Sequence, residues 1–187
     1  MIGSVDAAGR AQAALARLTR VVDDFPTDGV QFQDITPVLA DPDGFDAVID
    51  GLAAPQSNQQ IDLVAGIDAR GFLLGGAVAL RLGIGVLAVR KAGKLPPPVL
   101  SVDYELEYGS AAVEIPASGL DLAGKRVLVV DDVLATGGTA AAAVALLTRA
   151  GADVIAVGVV LELQALGGRT RLAGASPGVT VSAISVE

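Results

Sequence analysis

The sequence predicts an α/β fold, a single domain spanning 1–187 with a mostly parallel, twisted sheet flanked by helices. Three observations predict it. Short apolar runs alternate with helical patterns along most of the chain, which is how a parallel sheet covered on both faces is written. Small and branched residues dominate, with 23 glycines and only 3% aromatics, favouring close helix-on-strand packing. With 187 residues, 52% of them hydrophobic, the chain can fill one core and is short for two.

The first element is an amphipathic helix over 7–22, with Leu15, Leu18, Val21 and Val22 at helical spacing, ending near Asp23 and Asp24. Residues 25–42 are turn-rich: Pro26, Gly29, Pro37 and Pro42 rule out a long helix and leave Phe32 on an ordered loop or short strand. A second helix follows over 44–54. Then come an apolar run at 61–67, a helix at 71–82, a run at 86–89, a run at 126–130 leading into a helix at 139–150, and further strands at 153–163 and 179–186. Residues 94–109 break the alternation. Pro96, Pro97 and Pro98 precede a polar stretch that holds both tyrosines, Tyr104 and Tyr108, and the segment is expected to leave the sheet as a long loop.

Charge falls directly after the runs: Asp68 and Arg70 after the first, Arg90 and Lys91 after the second, Asp131 and Asp132 after the third. In an open α/β sheet, ligands bind outside the carboxyl ends of the strands, so parallel pairing would gather these groups in one crevice. Cations are clustered too, with Arg70, Arg81, Arg90, Lys91 and Lys94 in one short span that could neutralise a polyphosphate. The alternative for any one of them is plain solvation at a strand end.

Composition narrows the chemistry. The chain has no Cys and no His, so disulfides, thiolate nucleophiles, imidazole bases and the usual transition-metal ligands are excluded. Carboxylates, backbone amides and a hard cation remain. A formal net charge of -8 opposes broad nucleic-acid contact. Apolar stretches are interrupted well before the ~20 residues a membrane span needs, and residues 1–10 lack a basic region followed by an apolar core, so a cytoplasmic protein is expected.

The sharpest motif is VLVVDDVLATGGTA at 127–140. A buried strand delivers two carboxylates, and a small-residue loop then opens an Ala-rich helix. Backbone N–H groups of Ala135, Thr136, Gly137, Gly138 and Thr139 at a helix N-terminus suit a phosphate. Asp131 and Asp132 repel phosphate but accept hydrogen bonds from sugar hydroxyls, so a ribose 5-phosphate fits both halves. A capped strand-to-helix turn is the alternative. A rival phosphate loop at 119–125 fails because Arg126 replaces the required Ser or Thr and the segment precedes a strand.

This motif resembles the phosphoribosyl pyrophosphate (PRPP) site of the type I phosphoribosyltransferases, and its match is specific. Over nearly the whole chain the resemblance is to the adenine-using branch, carried by DFPTDGVQFQDITP at 24–37, DARGF at 68–72, VRKAGKLP at 89–96 and LEYG at 106–109. It implies the type I phosphoribosyltransferase fold with a small hood, a base-binding segment at 25–42 and a flexible catalytic loop at 94–115. The implied reaction is adenine and PRPP to AMP and pyrophosphate, with Mg2+ bound mainly through PRPP and reaching Asp131 and Asp132 through water. A homodimer is implied as well.

The residue roles implied are these. Phe32 stacks on adenine, while the backbone around Gln31 and Gln33, with Ala135, contacts the base; a Phe used as a hydrophobic plug is the alternative. Asp68, Ala69, Arg70 and Gly71 hold pyrophosphate, through a cis peptide at Asp68–Ala69, with Arg90, Lys91 and Lys94 as further contacts. Glu107 handles the proton on the base, Tyr108 covers the reactants, and Arg70 joins them in catalysis; a solvated loop Glu is the alternative for Glu107. Two departures stand out: Gln33 replaces the Arg usual in the family, and Pro97 and Pro98 stand where relatives often carry polar residues. Two other readings share the PRPP pocket, a transferase for another purine base and a non-catalytic PRPP-sensing regulator.

Overall fold

The computed structural model describes residues 4–25, 27–105 and 109–187. In chain order its elements are α1 (Ser4–Leu18), β1 (Arg20–Val22), β2 (Phe32–Asp34), α2 (Thr36–Ala40), α3 (Pro42–Ala53), β3 (Leu63–Ile67), α4 (Arg70–Leu82), β4 (Gly85–Lys91), β5 (Val99–Glu105), β6 (Ser110–Pro116), β7 (Arg126–Leu134), α5 (Gly138–Arg149), β8 (Asp153–Glu162), α6 (Gly168–Ala175) and β9 (Thr180–Val186). Seven strands form one sheet in the order β5-β6-β4-β3-β7-β8-β9, and β1 pairs with β2 apart from it. The pairs β3–β4, β3–β7, β7–β8 and β8–β9 are parallel. The predicted α/β class and mostly parallel sheet are therefore observed.

The sheet is buried on both faces because its central strands are apolar in both phases of their period of two. In β7, Val127 and Val129 pack with α5 and the β5–β6 hairpin, while Leu128 and Val130 pack with α1, α3 and α4. All four are fully buried. Parallel pairing also aligns the carboxyl ends of β3, β4 and β7, which places the charged residues that follow them along one edge.

Two expectations are corrected. The first helix stops at Leu18, and Val21 and Val22 belong to β1, paired antiparallel with Gln33 and Phe32. Branched side chains are stiff in a helix, and here a pairing strand with an Arg20–Asp34 ion pair at 2.8 Å competes for them. The second correction is in 94–115. Most of this segment does not leave the sheet: β5 and β6 form an antiparallel hairpin, and β6 joins β4 at Arg90↔Glu114 and Lys91↔Val113. Tyr104 is 9% exposed and packs in the core with Val113 and Ile115, so core packing does explain one of the two tyrosines. The alternation of Val102 with Tyr104 and of Val113 with Ile115 is the period-two signal for these strands. The helices α2 and α6 also went unpredicted.

Candidate active site at the carboxyl edge of the sheet

Two glycines let the turn after β3 lie flush against the end of β7. A Cβ on Gly66 would stand 2.3 Å from the Gly71 carbonyl oxygen, and one on Gly71 would stand 2.6 Å from that of Val130. Any side chain at either position would push the turn off the sheet. The close approach carries Arg70, the first residue of α4, to β7, where its Nε donates to Asp132 Oδ2 at 2.5 Å. Asp132 is buried. On the other side, Arg90 Nε donates to Asp68 Oδ2 at 3.2 Å, and the Asp68 N–H donates to the Val89 carbonyl at 3.0 Å. The Arg90 guanidinium also lies 5.4 Å from the ring centre of Phe72. The Asp68–Ala69 peptide is cis. Asp68, Ala69, Arg70, Gly71, Arg90, Lys91, Asp131 and Asp132 are thus brought to one edge; Lys94 is exposed on the turn after β4.

Asp131 sits beneath the first turn of α4, its Oδ1 only 3.2 Å from where a Cβ on Gly71 would stand. Burial, then the neighbouring Asp132 charge, pushes its carboxyl up to about 8; the Asp132 N–H and Arg70 oppose this only partly.

The segment 135–139 turns from β7 into α5. Gly137 has φ 76° and, among the described residues, no side chain caps the helix, so the first N–H groups of α5 are suited to a ligand. The loop rests on α6: a Cβ on Gly137 would lie 2.7 Å from the Gly168 carbonyl oxygen, and one on Gly168 would lie 2.3 Å from that of Ala135. Thr136 is exposed and Thr139 half-buried. Next to this floor, Arg169 pairs with the buried carboxylate of Glu162 and donates to the Val181 carbonyl at 2.7 Å. Hydrogen bonding to Glu162 raises the Arg169 pKa above its ordinary value, outweighing desolvation. Arg169→Met should cost about 1–2 kcal/mol, seen as a melting point lowered by roughly 2–8 °C. That is below the ~3–5 kcal/mol typical of fully buried pairs, because half-exposed Arg169 is partly screened by water.

The base segment is an antiparallel hairpin with a long connection. Half-buried Phe32 meets Phe25 edge-on, centroids 5.2 Å apart at 74°. Gln31 Nε2 donates to Asp23 Oδ1 at 2.9 Å, and the Gln33 amide donates to the Glu187 carboxylate. Asp34 accepts from the Thr36 N–H at 2.9 Å, and hydrogen bonding to Thr36 is the main cause that holds its carboxyl below the usual range.

Glu187 connects this hairpin to the sheet edge. Its N–H donates to the Glu162 carbonyl at 2.9 Å and its own carbonyl accepts from the Gln164 N–H at 2.7 Å, while the Leu163 N–H donates to Leu134 at 2.9 Å. Leu134 directly precedes Ala135. Sequence reasoning missed Gly66, Gly168, Phe25, Glu187 and the Arg169–Glu162 pair; the doublet Gly167–Gly168 before a basic, apolar-punctuated stretch was the one available signal. Glu107 and Tyr108 lie outside the described residues.

An anion-binding helix N-terminus, paired carboxylates and a facing cation on a tight turn are what transfer of a phosphoribosyl group needs. The phosphoribosyl transferase domain family matches residues 36–172, the stretch that holds this edge. The adenine phosphoribosyltransferase of Mycobacteroides abscessus is 67% identical over 159 residues, 85% of this chain and 89% of that one. The crystal structure of the Rhodothermus marinus adenine phosphoribosyltransferase matches with a TM-score of 0.87 at 42% identity, covering 96% of this chain and 99% of that one. The Saccharomyces cerevisiae enzyme, complexed with D-2,5-dideoxy-2,5-imino-altritol 1,6-bisphosphate and adenine, matches with a TM-score of 0.85 at 38% identity over 95% and 99% of the two chains. The chain belongs to the adenine phosphoribosyltransferase family.

Proposed function

We propose that this protein transfers the phosphoribosyl group of PRPP to adenine, forming AMP and pyrophosphate in purine salvage. One observation carries the reading: the Asp68–Arg70 turn, the Asp131–Asp132 pair and the 135–139 loop share one sheet edge, to which Glu187 ties the base segment. The yeast relative's complex with adenine supports the choice of base.

In this reading, residues 135–139 hold the 5-phosphate, Asp131 and Asp132 accept from the ribose hydroxyls, and residues 68–71 with Arg90, Lys91 and Lys94 hold pyrophosphate. Phe32 stacks on the base, and Ala135 with the backbone of Gln31 and Gln33 contacts its edge. Arg70 steadies Asp132 and the departing pyrophosphate, Glu107 manages the base proton and Tyr108 covers the reactants. The transfer needs little covalent work from the protein: it orients the base nitrogen towards C1 and excludes water. Magnesium bound with PRPP would offset charge on the leaving group. Paired carboxylates in a chain without Cys or His suit this hard cation, with Asp131 and Asp132 reaching it through water.

The chain works as one domain, with 25–42 serving the base. Leu73 and Leu80, 60% and 83% exposed, lie one heptad apart on α4, and with Val86 at 50% they supply an apolar face for a homodimer. Among the described residues no helix is long and apolar enough to cross a membrane. Phosphorylated substrates do not cross membranes unaided, which supports a cytoplasmic location.

The test is turnover with PRPP and magnesium against adenine, hypoxanthine, guanine and xanthine in parallel. AMP from adenine alone is expected. Turnover of another base would reassign the base segment, and PRPP binding without any turnover would make the protein a sensor.

A further inference from the structure

We propose that Glu187 is a positioning residue for base recognition: its carboxylate holds Gln33, and through it the β2 strand carrying Phe32, at the edge where the phosphate loop begins. The inference rests on the reading of the 31–33 backbone as the base contact.

The geometry gives Glu187 two fixed ends. Its backbone is bonded to the end of β8 and the turn after it, by its N–H to Glu162 and by its carbonyl to Gln164, so the residue cannot drift along the strand. Its side chain reaches the Gln33 amide across 154 positions of sequence. The end of β8 carries Glu162, whose carboxylate grips Arg169 beside Gly168, the residue on which the 135–139 loop rests. Base segment and phosphate loop therefore share one support. Among the described residues the β1–β2 hairpin pairs with no strand of the main sheet, and the Gln33–Glu187 bond is a direct polar link between it and the end of β9.

Chemistry explains why a Gln can serve here. An amide NH2 donates to a carboxylate without an ion pair, so the link needs Glu187 as acceptor and leaves the Gln33 main chain available to a ligand. An uncharged acceptor of the same length should keep the link, and a methyl should lose it.

The experiment compares wild type, Glu187→Gln, Glu187→Ala, Gln33→Ala and the double alanine variant, measuring KM for adenine, KM for PRPP, kcat and melting temperature. For Glu187→Ala the adenine KM should rise about 5- to 10-fold, the loss of one charge-assisted hydrogen bond, with the PRPP KM within about twofold of wild type. Glu187→Gln should recover most of the difference, and the double variant should be no worse than Gln33→Ala alone. An unchanged adenine KM, an equal rise in both KM values, or additive effects in the double variant would each overturn the proposal. If wild type makes no AMP, the reading of function fails instead; the proposal is then overturned unless the adenine Kd, measured by calorimetry, weakens in Glu187→Ala.

Discussion

Gly168→Ala is expected to raise the KM for PRPP by on the order of 100-fold while leaving most of the fold intact. The methyl group would stand 2.3 Å from the Ala135 carbonyl oxygen and 3.0 Å from Leu134 Cγ, and the nearest atom is backbone, which cannot rotate away. Relief must come from moving α6 or the loop. Overpacking of this kind costs about 1–3 kcal/mol when the core absorbs it. Here one side of the clash is the 135–139 loop, whose helix end has no side-chain cap among the described residues, so the loop is the part that yields. A displacement of about 1 Å in groups that must converge on one phosphate is enough for a hundredfold loss. Gly174→Ala in the same helix is the control: nothing lies within 4 Å of its Cβ position and its φ is not positive. It should leave the PRPP KM unchanged and gain up to about 1 kcal/mol from helix propensity. A Gly168→Ala variant with wild-type PRPP KM would mean that α6 moves instead, and that the loop does not depend on it.

The position of Gly168 also illustrates what could and could not be inferred from sequence. The strands β3, β4, β7, β8 and β9 were visible because buried runs of Val, Ile and Leu leave a local signature, and the site edge was visible because charges followed those runs. The loop at 135–139 stood out through composition alone, two carboxylates followed by Ala, Thr and two Gly. What escaped was set by partners distant in sequence. Val21 and Val22 have helical spacing, and their strand state depends on β2. Tyr104 stands in a polar stretch, yet its core placement is decided by Val113 and Ile115 across a hairpin. Gly168 and Glu187 carry no motif: one matters for the methyl it lacks beside Ala135, the other for a bond to Gln33. Such requirements appear only once the chain is folded.

The affinity for PRPP should rise by about tenfold per pH unit as pH increases from about 6 to 8, and then level off. The cause is Asp131, whose carboxyl is pushed up to about 8 by burial and by the charge of Asp132. At neutral pH the free protein therefore holds a proton that ribose hydroxyls, as donors, must displace. Calorimetry at pH 7 in two buffers of different ionisation enthalpy should show release of about one proton per PRPP bound. Because PRPP titrates as well, the comparison that decides is with Asp131→Asn, whose affinity should follow the ligand's own titration only and fall about tenfold below wild type at about pH 9. The sign for stability is opposite. An acid whose folded pKa lies above its ordinary 3.8 binds more protons folded than unfolded between those values, so the group stabilises the fold at low pH and that contribution is lost as pH climbs towards about 8. The ligand-free wild type should then lose melting temperature across this range more steeply than Asp131→Asn, while PRPP restores it at the alkaline end. Parallel melting curves for the two proteins would show that Asp131 is ionised throughout and that its burial costs the free protein nothing.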